Sequence, residues 1–198
     1  MKEITNFITN TEFLNMFIGS IITIITGIII FALQSISRYI YKRKGNLNMY
    51  YKHVPSIINS QPMSRLKENE NEFKTVVPLW IEFHNTKEIK QVIRNLNVIA
   101  FYKNKKVDTF IQTNEYGKNR TPIGNNGSYS FIIEENEIKN YELFFFLISE
   151  KSIDELKISY FDKHEKEKIF SLIKFDDEMK TGNQTLDNQW HKLRNKNK

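Results

Sequence analysis

The chain has 198 residues, room for one domain of ordinary size with short appendages. It contains no cysteine, which excludes disulfides, thiolate catalysis and Cys-ligated metals. The formal net charge of +6, from 29 Lys plus Arg against 23 Asp plus Glu, is modest, and much of it sits near residues 38–52 and in the last residues, so bulk charge gives no direct sign of a nucleic-acid partner.

Residues 1–12 precede a run from Phe13 to Ser37 that carries no charged side chain. As a helix this run is about 37 Å long at roughly 1.5 Å per residue, enough to cross a hydrocarbon core of about 30 Å with some tilt. Its Ile-rich circumference would need burial on every side in water, whereas in lipid its backbone bonds close internally. A transmembrane helix over 13–37 is therefore expected. The run is too long for a cleaved signal peptide, lacks a basic leader and is followed by no small-residue cleavage site.

The flanks set an expected orientation. Lys2, Glu3 and Glu12 precede the run, while Arg38, Lys42, Arg43, Lys44 and Lys52 follow it among Tyr39, Tyr41, Tyr50 and Tyr51. Lys and Arg are retained on the cytoplasmic side and Tyr favours the headgroup level. The expectation is a single-pass protein of the inner (plasma) membrane, with residues 1–12 extracytoplasmic, a basic juxtamembrane segment over 38–48 and the remaining chain cytoplasmic. Arg38, Lys42, Arg43 and Lys44 serve as the topology signal, or beyond that recognise an anionic lipid headgroup. Gly19, Thr23 and Gly27 recur every four residues, so they share one helical face where a second copy of the helix can approach closely.

From about Asn46 the period changes to two. A short strand is expected over Met49–Val54. Val77, Leu79, Ile81 and Phe83 alternate with Pro78, Trp80, Glu82 and His84, and Pro78 suggests an edge strand. Val92–Lys103 follows, with Leu96, Val98, Ala100 and Tyr102 on one side, then a turn at Asn104-Lys105 into Val107–Gln112. Tyr129, Phe131 and Ile133 alternate. Tyr141–Ile148 is apolar on both faces, as in a covered central strand or one whose outer face meets a partner chain. Leu156, Ile158 and Tyr160 lead through Asp162–Lys166 into Ile169–Phe175, a hairpin. About seven or eight strands at this spacing predict an all-β, antiparallel, immunoglobulin-like β-sandwich over 49–175, with a partly open β-barrel as the alternative. Gln61–Glu72 and the polar tail 176–198 read as partly disordered, with a short helix around Leu186–Leu193 as the alternative for that part of the tail.

The four histidines, His53, His84, His164 and His191, show no ligand spacing, so no metal site is expected. No catalytic motif is present, and neither an enzyme nor a cofactor is expected. The loop Asn114–Gly127 is the best candidate for ligand binding: Lys118, Arg120 and the backbone N–H groups near Gly124 and Gly127 suit an anion such as a phosphate or a nucleotide-like ligand. The competing reading is a crossover between sheets in which Gly and Asn supply turn geometry.

The passage Pro78-Leu-Trp-Ile-Glu-Phe-His-Asn-Thr86, followed by Val92 to Tyr102, resembles uncharacterised bacterial proteins in which an immunoglobulin-like domain stands behind one membrane span. That resemblance implies architecture. A membrane part followed by a β-rich cytosolic part is also similar to membrane effectors of bacterial antiphage systems, in which a β domain senses a cyclic nucleotide and the helices cluster to breach the membrane. Three functions follow as expectations: a membrane-tethered binding or scaffolding module with a cytosolic protein or small-ligand partner, a defence effector whose helix oligomerises, and, behind both, a membrane-anchored enzyme.

Overall fold

The structure is a computed structural model that describes residues 11–54, 62–116, 119–122 and 129–194, without the side chains of 11, 12 and 114–122. It divides into two compact units, Met1–Lys44 and Gly45–Lys198.

The first unit holds α1, Thr11–Arg43, a helix of 33 residues. The segment Phe13–Arg43 has a mean hydropathy of 2.6 over its most apolar window and is long and apolar enough to cross a membrane. The hydroxyls within it do not contradict that property. Ser20 donates to the Met16 carbonyl at 2.9 Å, Thr23 to Gly19 at 2.9 Å, Thr26 to Ile22 at 2.8 Å and Ser35 to Phe31 at 2.8 Å. Each folds back four residues, so no hydroxyl of this set needs water. The helix continues past the expected end at Ser37 and closes on Lys42 and Arg43, cations that suit the negative end of the helix dipole.

The second unit is built from β1 (Leu47–His53), β2 (Ser64–Lys67), β3 (Phe73–Asn85), β4 (Gln91–Tyr102), β5 (Lys105–Thr109), β6 (Ile111–Tyr116) and β7 (Asn119–Pro122). β8 (Tyr129–Ile133), β9 (Ile138–Ser149), β10 (Glu155–Phe161), β11 (Glu167–Lys174), β12 (Gly182–Asn183) and β13 (His191–Lys192) complete it. All pairings are antiparallel and form two sheets: β12-β2-β3-β9-β6-β7, with β1 also on β3 and β13 on β1, and β11-β10-β4-β5, with β8 on β4. With β1 and β2 taken as halves of one interrupted strand, these are the A-B-E-D and G-F-C-C′ orders of an immunoglobulin-like sandwich. Among the described residues the sheets do not close into a barrel.

The core lies between the sheets, where Leu79, Ile81, Phe83 and Phe145 of one meet Leu96, Val98, Leu156 and Ile158 of the other, all fully buried. Pro78 does not mark an edge. β3 lies inside its sheet, between β9 and the β1/β2 pair, but β1 ends opposite Leu79 and β2 begins opposite Val76. The proline falls in that gap and its missing N–H costs no bond on that side. In β4, Asn95 at φ +50 interrupts the register, and the inward set changes from Ile93 to Leu96, Val98 and Ala100.

Val107–Gln112 is not one strand. It changes sheets at Phe110, which is buried and whose N–H donates to the Val98 carbonyl at 2.9 Å. The preceding turn is Lys103-Asn104, both left-handed at φ 49 and 63, one residue earlier than expected. The part of Gln61–Glu72 that is described contains β2, with Ser64 and Arg65 buried. The expected tail is part of the sandwich as well. β12 pairs β2, β13 pairs β1, and Met179 and Leu193 are buried at 2% and 6% exposure. No helix forms over Leu186–Leu193. Polar composition misled here because the apolar residues that hold the described segment, Met179, Leu186 and Leu193, are few and far apart.

Candidate functional site

The outer face of the larger sheet carries the most distinctive surface of the molecule. Register places Lys52, Trp80 and Glu142 side by side across β1, β3 and β9, with Tyr50, Glu82 and Asn140 as the next row. Trp80 points outward because it alternates with the core residues Leu79 and Ile81. β13 then adds Lys192 opposite Tyr50, which brings Trp190, exposed at 44%, to the same face. Trp80 and Trp190 line one open cleft of about 360 Å³ with Asn140, Tyr141 and Glu142. They are the chain's only tryptophans, 110 positions apart.

Charge in and beside the cleft is mixed. The Lys52 ammonium lies over the Trp80 ring at 5.8 Å from its centroid, and Lys192 lies over Tyr50 at 5.6 Å. Glu142 is exposed and, with Asn140, supplies the polar groups of the lining. Such a surface can stack on a flat or rounded apolar group and offer it a carboxylate.

A second cleft, of about 220 Å³, is lined by His53, Met63, Gln184, Leu186, Asp187 and Asn188 among others. His191 Nε2 meets Asp187 Oδ1 at 2.7 Å, and the Tyr51 ring packs at 5.3 Å from both His53 and His191. Burial, with His191 nearby and against the pull of Asp187, lowers the His53 imidazole to about 4. It is therefore neutral near pH 7, and its buried Nδ1 has no hydrogen-bond partner among the described residues. The Asp187 carboxyl is held below its usual range by the His191 hydrogen bond and the Gln189 N–H. The described lining includes no hydroxyl or thiol. Among the described residues no three His, Cys, Asp or Glu side chains are grouped to hold a metal ion.

Of the residues singled out in the sequence, Lys118, Gly124 and Gly127 lie outside the described residues, and Arg120 falls in β7 without a described side chain. Gly19, Thr23 and Gly27 lie in α1, where a Cβ added at either glycine would meet nothing within 4 Å. Arg38, Lys42 and Arg43 occupy its last turns, with the Arg43 guanidinium 4.1 Å from the Tyr39 ring centroid, and the Lys44 N–H donates to Tyr41 at 2.9 Å. Sequence reasoning missed the tryptophan cleft. Its available signal was Trp80 on the polar side of an alternating strand; Trp190 was unreadable because its segment carries no periodicity. No protein-family model matches the chain, and no curated protein matches it.

Proposed function

We propose that this chain is a membrane-tethered binding module, single-pass in the plasma membrane, whose cytoplasmic sandwich recruits a ligand or partner to the bilayer through the Trp80/Trp190 cleft. The single observation that carries this reading is the convergence of the only two tryptophans on one open cleft. An indole left as exposed as that of Trp190, beside the partly buried Trp80, costs apolar exposure that folding would otherwise remove, and tryptophans are among the side chains that most often anchor binding energy. The apolar helix α1 supplies the tether, and the basic run Arg38, Lys42, Arg43 and Lys44 supports the cytoplasmic orientation. Self-association along Gly19, Thr23 and Gly27 completes the reading, since the Thr23 hydroxyl is turned onto the Gly19 carbonyl and leaves a low ridge.

The test is photo-cross-linking in cells from a photoreactive residue at Asn140, on the cleft, compared with one at Lys168, on the edge strand β11. Adducts at position 140 that disappear with Trp80→Ala, in a protein that stays with the membrane pellet at alkaline pH, are expected. Equal labelling at both positions, or a full chain that is extracted from the pellet, would sink the proposal.

A further inference from the structure

Two indoles and a carboxylate around one cleft define a ligand more narrowly than a general docking surface. We propose that the Trp80/Trp190 cleft is a receptor for a quaternary ammonium group, as carried by choline or by a lipid headgroup; this deepens the binding-module reading and rests on it. Trp offers the strongest cation-attracting face of any side chain, and a trimethylammonium group, too large and too weakly hydrated to demand hydrogen bonds, is best held between such faces. Glu142 adds a negative charge at the cleft, and Glu82 lies one row away on the same outer face. Trp80 already attracts a cation in this structure, the Lys52 ammonium at 5.8 Å.

That last contact gives the proposal a distinctive signature. Lys52 is on β1, which is anchored by its pairing to β3, and it approaches Trp80 from the side of β13. It competes with any incoming cation for the Trp80 face. Removing its charge therefore strengthens binding, an effect that a merely structural role for Lys52 would not produce. A neutral sugar, the other common partner of exposed tryptophan, would want a larger set of polar groups than Asn140 and Glu142 offer in the lining.

The experiment uses the full chain in an uncharged polyoxyethylene detergent. Because the chain has no other tryptophan, tryptophan fluorescence, excited at wavelengths that its nine tyrosines do not absorb, reports on the cleft alone. Tetramethylammonium and choline, against sodium at matched ionic strength, are expected to give a saturable change. Choline should bind about tenfold more tightly than its uncharged isostere 3,3-dimethyl-1-butanol. By calorimetry, Glu142→Gln weakens and Lys52→Gln strengthens choline binding several-fold, and Trp190→Ala abolishes it with the unfolding midpoint retained. A second arm reconstitutes the chain in phosphatidylcholine or phosphatidylglycerol bilayers. A spectrum altered in phosphatidylcholine before any ligand is added assigns the group to the headgroup; a response to added choline alone assigns it to a soluble ligand. No saturable response in either arm, equal affinity for the isostere, or a response to a neutral sugar in place of tetramethylammonium overturns the proposal. Cross-links at position 140 without an ammonium response would leave the binding module standing and remove only this ligand class.

Discussion

The Tyr51 hydroxyl donates to the Leu172 carbonyl at 2.6 Å, joining β1 of one sheet to β11, the edge strand of the other. Leu172 is free to accept because the β10–β11 register slips at this point: Leu156 pairs with Ile173 and Lys157 with Ser171, leaving Leu172 as the bulged residue. Burial raises the Tyr51 phenol above its ordinary range, with Asp187 contributing, so it stays protonated as donor. Tyr51→Phe should lower stability by about 1–2 kcal/mol, the cost of a carbonyl left without its partner. Urea unfolding of Gly45–Lys198 measures this, and an unchanged midpoint would show that the bulge does not depend on the hydroxyl.

Asn85 is fully buried at the end of β3. Its amide donates to Ile89 at 2.9 Å and to Glu134 at 2.7 Å, and its Oδ1 accepts from the Lys87 N–H at 3.1 Å. One side chain thus shapes the β3–β4 turn and ties it to the β8–β9 connection. Asn85→Ala leaves those buried groups unmatched and should cost about 2–4 kcal/mol by the same unfolding measurement; a loss below about 1 kcal/mol would mean that water replaces the amide.

Protonating His53 opposes folding. The unfolded imidazole titrates at about 6.5 and the folded one at about 4, so between these values the unfolded chain binds the extra proton. Stability is complete above about pH 6.5 and declines as the pH falls toward 4. The full loss is at most about 3 kcal/mol. Unfolding at pH 4.5 and 7.5 should show this difference in the parent sandwich, and His53→Leu should reduce it. A variant with the same pH dependence as the parent would assign the effect to other groups.

Gly45 has φ +110, and a Cβ there would stand 2.4 Å from the Thr86 carbonyl oxygen, a backbone atom that cannot swing away. The neighbouring residues are locked, with the Asn46 N–H donating to Thr86 Oγ1 at 2.8 Å and the Thr86 N–H to the Asn46 carbonyl at 2.9 Å. Gly45→Ala should therefore destabilise the sandwich by more than about 2 kcal/mol, through both strain and contact. Hydrogen exchange at the Thr86 amide, faster in the variant, locates the damage; unaltered exchange would contradict it.

The paired substitution Gly19→Leu and Gly27→Leu fills the ridge on α1 without adding polarity. Cross-linked oligomers of the full chain in detergent should fall to the level of a random-collision control, because bulk at these positions holds two helices apart. Persistence of the same oligomers would move the association to another surface.

Local pattern made much of this architecture readable in advance. The charge-free run declares a membrane-length helix because its property depends only on composition and length. The alternation in β3 declares a strand with one buried face, since side-chain direction follows from backbone geometry alone. The double-sided apolar run of β9 marks an interior strand, between β3 and β6, but its outer face is buried at Phe144 and exposed at Glu142 and Ile148, so cover on both sides is only partial. Where the chain departs from regular alternation, the reading slipped. Asn95 changes which residues of β4 face inward, Phe110 carries the chain from one sheet to the other, and Pro78 rests in a gap between two other strands.

The tryptophan cleft and the strap of residues 176–194 belong to tertiary structure. Trp190 reaches the face of Trp80 only because β13 pairs with β1, and that pairing depends on Leu193, whose N–H donates to the Met49 carbonyl at 2.9 Å, closing one short segment onto the sheet. Elements with their own period are announced by their residues, because burial repeats along the chain. A site assembled from isolated residues has no period, and only the packing of distant strands decides which side chains share it.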